Sequence, residues 1–178
     1  LSVYVSPTRA AIRSAGSDLP IINDAWHNTL IAIKQDSKPD AIITSWWDFG
    51  HHFKLIADRP VTFDGTTQTA QAAHWVGRFF MTDNEKEAIG ILRMLDCGSG
   101  RAFNALNEYL NNPHLSLKVT KEIILLDKDV AEMKLDKYNL NKNQISDVLQ
   151  YTHCTPPEGY VITSEDMIGK SGVWSHFG

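Results

Sequence analysis

The residues best suited to chemistry in this 178-residue chain stand side by side at Trp46-Trp47-Asp48. Each indole offers one N–H donor and no acceptor, and an ionised aspartate offers acceptors only. Together the three can surround a single hydroxyl group. Two indole donors feed its oxygen and the carboxylate takes its hydrogen. A site built this way rejects an analogue without the hydroxyl, because each buried group left unpaired costs about 1–3 kcal/mol. The competing reading is a hydrophobic plug, with Asp48 as a favourable charge at the positive end of a helix. The three residues by themselves leave both readings open.

A second candidate is Ser164-Glu165-Asp166-Met167-Ile168-Gly169-Lys170. Asp166 and Lys170 are four apart and share a helix face. The plain alternative is an ordinary amphipathic helix. Other chemistry finds little support. His51, His52, His74 and His153 show no metal-ligand spacing, and neither HExxH nor C-x-x-C is present. Asp127-Lys128-Asp129 lacks the acidic density and the glycine of a calcium loop. Gly98-Ser99-Gly100 has no Walker lysine and no nucleophile-elbow frame, and reads as a helix stop. A His153–Cys154 dyad would need sequence neighbours to face each other productively. Cys97 and Cys154 are expected to be separate buried thiols behaving as small hydrophobes. A disulfide between them remains chemically open in an oxidising compartment.

The elements that must position these residues follow from patterning. Asn23 or Asp24 caps an amphipathic stretch, Ala25–Gln35, with Trp26, Leu30, Ile31 and Ile33 on its apolar side. Ala41-Ile42-Ile43-Thr44 is a continuous, largely β-branched run that suits a strand buried on both faces. Ser45 is placed to cap a helix immediately after it. Arg59–Asp64 alternates and reads as another strand. Thr66–Met81 is a helix. Thr82 and Glu85 form a capping box for a helix over 84–97, and another helix runs from Arg101 until Pro113 enforces a break. Leu115–Leu126 is assigned to a strand, and Asp127–Tyr138 and Asn143–Tyr151 to two short helices. Pro7 is placed at N1 of a helix near the start. Tyr160-Val161-Ile162-Thr163 is a strand that echoes the earlier one. AIITSWWD and YVITSEDM both run from a strand through Thr-Ser into an acidic helix opening. That echo predicts a parallel pair, with a binding site beyond the carboxyl ends of the strands. The fold class expected is mixed α/β: a helix-rich domain around a small, partly parallel sheet.

Composition is ordinary, with 43% apolar and 21% charged residues, and the net charge is −4 from 17 basic and 21 acidic residues. No basic stripe interleaved with aromatics points to nucleic acid, and no polybasic segment points to a membrane surface. No apolar run approaches the ~18 residues that a spanning helix needs. Residues 1–22 are expected to form an N-terminal segment, a candidate linker from a membrane region. Residues 23–178 are expected to form one globular domain with a truncated C-terminus.

Trp46–Gly50 reads WWDFG and resembles the WWDYG signature of oligosaccharyltransferase catalytic subunits. Phe49 in place of Tyr removes one phenol hydroxyl. Gly50-His51-His52 and Asp58-Arg59-Pro60-Val61 also look like family sequence, and the resemblance extends from roughly Asn23 to the end. It implies the soluble C-terminal domain of a membrane glycosyltransferase, lying on the extracytoplasmic side. Such an enzyme moves an oligosaccharide from a polyprenyl phosphate or diphosphate to the Asn of an Asn-x-Ser/Thr acceptor polypeptide. The resemblance assigns Trp46, Trp47 and Asp48 to the hydroxyl of the +2 Ser or Thr. It assigns Met167, Ile168 or Lys170 to the methyl of a +2 Thr, a contact worth at most ~0.8 kcal/mol. The family's Mg²⁺ or Mn²⁺ ligands lie in the membrane part, outside this chain, so the chain alone is expected to be inactive. The lipid-linked donor is likewise expected to bind the membrane region. A stand-alone, non-enzymatic peptide-binding module is the alternative.

Overall fold

The computed structural model describes residues 2–17 and 22–178. Helix α1 (Ser2–Ser17) carries Pro7 inside it rather than at its first turn. Residues 18–21, part of the expected linker, lie outside the described residues. Asn23 caps α2 (Asp24–Asp36) by accepting the Trp26 N–H at 3.0 Å, and α2 buries Leu30 and Ile33.

The expected parallel pair is present. Strand β1 (Ile42–Thr44) runs parallel to β2 (Gly159–Val161), with Ile42 opposite Gly159, Ile43 opposite Tyr160 and Thr44 opposite Val161. The third strand expected over Arg59–Asp64 is reduced to one bridge, Ile43 with Val61. The Ile43 N–H donates to the Pro60 carbonyl at 2.9 Å, and the Thr62 N–H donates to the Ile43 carbonyl at 3.1 Å. Pro60 has no N–H to extend the ladder, and the chain then turns at Asp64. Arg59 is buried and donates to the carbonyls of Lys34, Ser37, Ala57 and Asp58. It thereby ties the end of α2 to the segment that follows β1.

After β1 come three short helical pieces: a 3-10 turn (Trp47–Phe49), α3 (Gly50–His52) and a π turn (Phe53–Ala57). Asp58 ends the last in a left-handed conformation, φ 55°. Helices α4 (Ala70–Met81), α5 (Glu85–Gly98), α6 (Arg101–Leu110), α7 (Pro113–Ile123), α8 (Lys128–Asp136) and α9 (Lys142–Thr152) fill the interval before β2. A 3-10 segment (Glu165–Lys170) and α10 (Ser171–Phe177) follow β2. The fold is therefore mixed α/β and mostly helical, around a two-stranded parallel sheet.

Several local expectations are overturned. Helix α4 starts later than Thr66, because Thr66 and Thr67 are engaged by Asp64 and Thr69 is the cap. Asn84, not Thr82, caps α5, accepting from the Lys86 and Glu87 N–H groups. The Thr82 hydroxyl instead donates to Glu87 at 2.6 Å. Leu115–Leu126 is no strand: Asn112 caps α7, with Pro113 in its first turn. The buried residues of α7 are Ser116, Val119, Thr120 and Ile123, a helical spacing. Cys97 and Cys154 are not separate thiols but form a disulfide joining the end of α5 to the turn after α9.

Three apolar clusters result. One lies among α4, α5 and α10, with Trp75, Val76, Ile91 and Met94 buried. A second joins α6, α7, α8 and α9. The third packs α2 on Ile43, Phe53 and Ala57. Trp46 belongs to the first cluster and Phe49 packs against the third, so the WWDFG segment is held from both sides. No helix among the described residues is long and apolar enough to cross a membrane.

Candidate functional site

The sheet hands the motif to the surface. Beyond Thr44 the chain stays extended through Trp46 (φ −68°, ψ 149°) and then tightens into the 3-10 turn. Ser45 does not cap that turn. Its hydroxyl is buried against the Met167 sulfur at 4.0 Å. This contact joins the two strand-to-helix junctions that the sequence pairs by their echo.

Trp46 and Trp47 part company, as successive residues at a helix start must. The Trp46 ring is 4% exposed. Its edge meets Phe63 at 5.2 Å and Trp174 at 6.2 Å between ring centroids. Trp47 is half-buried. Both rings line a cleft of about 410 Å³ together with Phe63, Gln68, Thr69, Ala73, Val173 and Phe177. The buried polar atoms without a partner include the indole nitrogen of Trp174 but neither that of Trp46 nor that of Trp47.

Asp48 meets the C-terminal candidate directly. The Lys170 ammonium lies 3.0 Å from Asp48 Oδ2 and 2.6 Å from Asp166 Oδ2, and the Ser164 hydroxyl donates to Asp166 Oδ1. The side chains of Lys170 and Asp48 are 22% and 32% exposed, at the border between core and solvent. Burial opposes the charge on Lys170, but its hydrogen bonds to Asp166 and Asp48 outweigh this and raise its pKa above the ordinary lysine value. Burial also opposes ionisation of Asp166. The bonds from Lys170 and Ser164 again prevail and hold its carboxyl below the usual range. The cluster is therefore an ammonium shared by two carboxylates, one from each motif.

Of the six candidate residues, Trp46 and Trp47 line the cleft, while Asp48 and Lys170 pair with each other and are not among its lining residues. Met167 is 5% exposed and packs into the core with Ser45 behind the motif. Ile168 is 81% exposed and lines a separate recess with Phe80, Thr163, Glu165, Met167 and Trp174. Sequence reasoning missed Trp174, which wedges against Trp46 and stacks on Phe80 at 4.9 Å. Nothing local distinguishes it from any other aromatic residue on a short helix. Among the described residues, no group of three or more His, Cys, Asp or Glu is placed to hold a metal ion.

The tryptophan–carboxylate motif thus stands just beyond the end of a parallel strand pair, with a lysine from the C-terminal segment on its carboxylate. The chain belongs to the STT3/PglB/AglB core-domain family, whose model matches residues 39–167. Two archaeal relatives are each named dolichyl-phosphooligosaccharide-protein glycotransferase. That of Methanocaldococcus jannaschii is 36% identical, matching 100% of this chain and 20% of its own length. That of Methanococcus voltae is 36% identical, matching 98% of this chain and 20% of its own length. A plant relative from Arabidopsis thaliana, named dolichyl-diphosphooligosaccharide--protein glycosyltransferase subunit STT3B, is 31% identical over 52% of this chain and 12% of its own. The chain thus spans about a fifth of the two archaeal relatives. A crystal structure of the C. jejuni PglB C-terminal domain superposes with a TM-score of 0.48 at 14% identity, covering 85% of this chain and 51% of that one.

Proposed function

We propose that this chain is the acceptor-reading domain of an oligosaccharyltransferase, and that it grips the +2 Ser or Thr of an Asn-x-Ser/Thr polypeptide. The single observation that supports this most is the Lys170–Asp48 contact. It joins the WWDFG turn, whose Trp46 and Trp47 line the cleft, to the 164–170 segment. Asp48 is partly exposed and ready to accept a hydroxyl hydrogen, and Trp47 stands at the cleft wall with its indole N–H. Lys170 holds the carboxylate in place. Trp46 is the less exposed partner and contributes chiefly by fixing Trp47 through the aromatic packing behind it.

In this reading the parent enzyme transfers a lipid-linked oligosaccharide to the acceptor Asn. Its divalent metal and its donor site are supplied by parts outside these 178 residues. Residues 1–22 lead in from a membrane region, and the domain faces the extracytoplasmic side. A Cys97–Cys154 disulfide accords with that location. Met167 acts from within the core by supporting Ser45, and Lys170 is the group of the second motif nearest the acceptor.

The test is acceptor-peptide transfer by the full-length enzyme carrying Asp48→Ala. We expect KM for the acceptor to rise by roughly 10-fold or more, as for loss of one charge-assisted hydrogen bond. Unchanged kinetics would remove Asp48 from the site.

A further inference from the structure

We infer that Asp64 is a positioning residue for the acceptor site, strapping the segment after WWDFG to the opposite wall of the cleft. The inference rests on the acceptor-reading function proposed above. The Asp64 side chain is fully buried, yet it is a carboxylate. Its two oxygens face different parts of the chain. Oδ1 accepts from the Thr66 N–H at 2.8 Å, the Thr66 hydroxyl at 2.6 Å and the Thr67 N–H at 3.1 Å. Oδ2 accepts from the Lys54 ammonium, which comes from the π turn behind the motif, with His51 Nδ1 4.0 Å away. The Asp64 N–H donates to the Thr67 hydroxyl at 2.8 Å, which closes the loop on itself.

Burial alone would push this carboxyl up. The bonds from Lys54 and Thr66 outweigh it and hold Asp64 far below the usual carboxylate range. Only the Asp64 half of this ion pair is buried, and the cost of desolvating that carboxylate offsets much of the attraction. What the pair does well is fix one relative placement of two segments.

The placement is tight. A Cβ on Gly50, the last residue of WWDFG, would stand 2.5 Å from the Asp64 Cβ and 2.8 Å from the Phe63 carbonyl oxygen. A Cβ on Gly65 would stand 2.9 Å from His51 Nε2. Gly50 thus lets the motif backbone abut residues 63 and 64, Gly65 makes room for the His51 ring, and the Lys54–Asp64 pair closes the contact. One side of that contact carries Trp46 and Trp47, and the other carries Phe63, Gln68 and Thr69, the facing wall of the cleft. Neither Lys54 nor Asp64 lines the cleft. They act through the residues that do.

The test uses the full-length enzyme with Lys54→Met, Gly50→Ala and Asp64→Asn. Lys54 is 46% exposed, so Lys54→Met takes no side chain out of the core, and Lys54→Arg keeps the ion pair if the other variants fold poorly. Two readouts are taken: KM and kcat for the acceptor, and competitive inhibition by unreactive peptides bearing Thr or Ala at the +2 position. We expect Lys54→Met to raise KM about tenfold with kcat changed less than about twofold, as for a small displacement of a binding group. The Thr-over-Ala preference should shrink by a similar factor, and Lys54→Arg should restore it. A purely structural role would lower the unfolding temperature and leave KM and the preference at wild-type values, which overturns the inference. Asp48→Ala runs alongside. If it abolishes the preference while Lys54→Met keeps it whole, the strap fails and the acceptor reading stands. If Asp48→Ala has no effect, the acceptor reading itself fails.

Discussion

The ammonium of Lys170 touches the carboxylate of Asp48 at 3.0 Å, although the two residues belong to opposite ends of the domain. Asp166, one turn before Lys170, takes the same ammonium at 2.6 Å. Two acids and one base at a partly dry border leave one negative charge to be met from outside.

Lys170→Met removes the only base of this cluster and leaves two carboxylates side by side. Asp48 should then turn away from Asp166. We expect acceptor KM to rise severalfold, about 3–10-fold, with most of the loss recovered in Lys170→Arg. Steady-state kinetics on the full-length enzyme measure both. Equal KM in wild type and Lys170→Met would show that Asp48 needs no help from Lys170.

Asp96 supplies a pH-dependent stability that is easy to check. It sits in the last turn of α5, at the negative end of the helix, beside a cavity of about 260 Å³ shared with Ser99 and Arg101. Its Oδ1 is buried with no partner. Burial pushes its carboxyl up to about 7. The proton is thus held more tightly in the folded than in the unfolded chain. Stability is lost as pH rises from the unfolded value of roughly 4 to about 7, and stays lost above that. Asp96→Asn should therefore match wild type near pH 4 and exceed it at pH 8, by on the order of 1–3 kcal/mol. Thermal unfolding across that range decides it, and a constant difference at all pH values would contradict the account.

The Cys97–Cys154 bond closes a loop with a sequence separation of 57. On chain-entropy grounds a loop of that size contributes about 4 kcal/mol. The Cys97→Ser/Cys154→Ser double variant should lose stability of that order in denaturant titrations. Thiol titration of the unfolded, unreduced wild type should find no free thiol.

What the sequence disclosed depended on how far each signal reached. Ala41–Thr44 was legible because a strand buried on both sides is a continuous apolar run, and its echo at Tyr160 foretold the parallel pairing. The α7 segment misled because Leu115, Leu117 and Val119 alternate like a strand. The cap at Asn112 and the burial of Ser116 and Thr120 beside Val119 and Ile123 decide for a helix. Thr82 looked like a cap because it precedes a glutamate by three, yet Asn84 stands nearer the helix and its short side chain reaches two N–H groups. The disulfide was invisible for a different reason. Pairing depends on the approach of α5 to the end of α9, and no spacing rule encodes that. The tryptophan motif was plain from five letters. The Lys170–Asp48 contact depends on the parallel strands, which bring the two ends of the domain together.

That parallel register also governs when the Lys170–Asp48 contact can exist during synthesis. Strand β1 emerges from the ribosome early, while β2 and Lys170 follow only after helices α3 to α9 have been made. A nascent or clipped chain that lacks its last segment would display the tryptophans with neither Met167 nor Lys170 behind them. The paired carboxylates and their shared ammonium are thereby reserved for molecules whose translation has run to the far end of the domain.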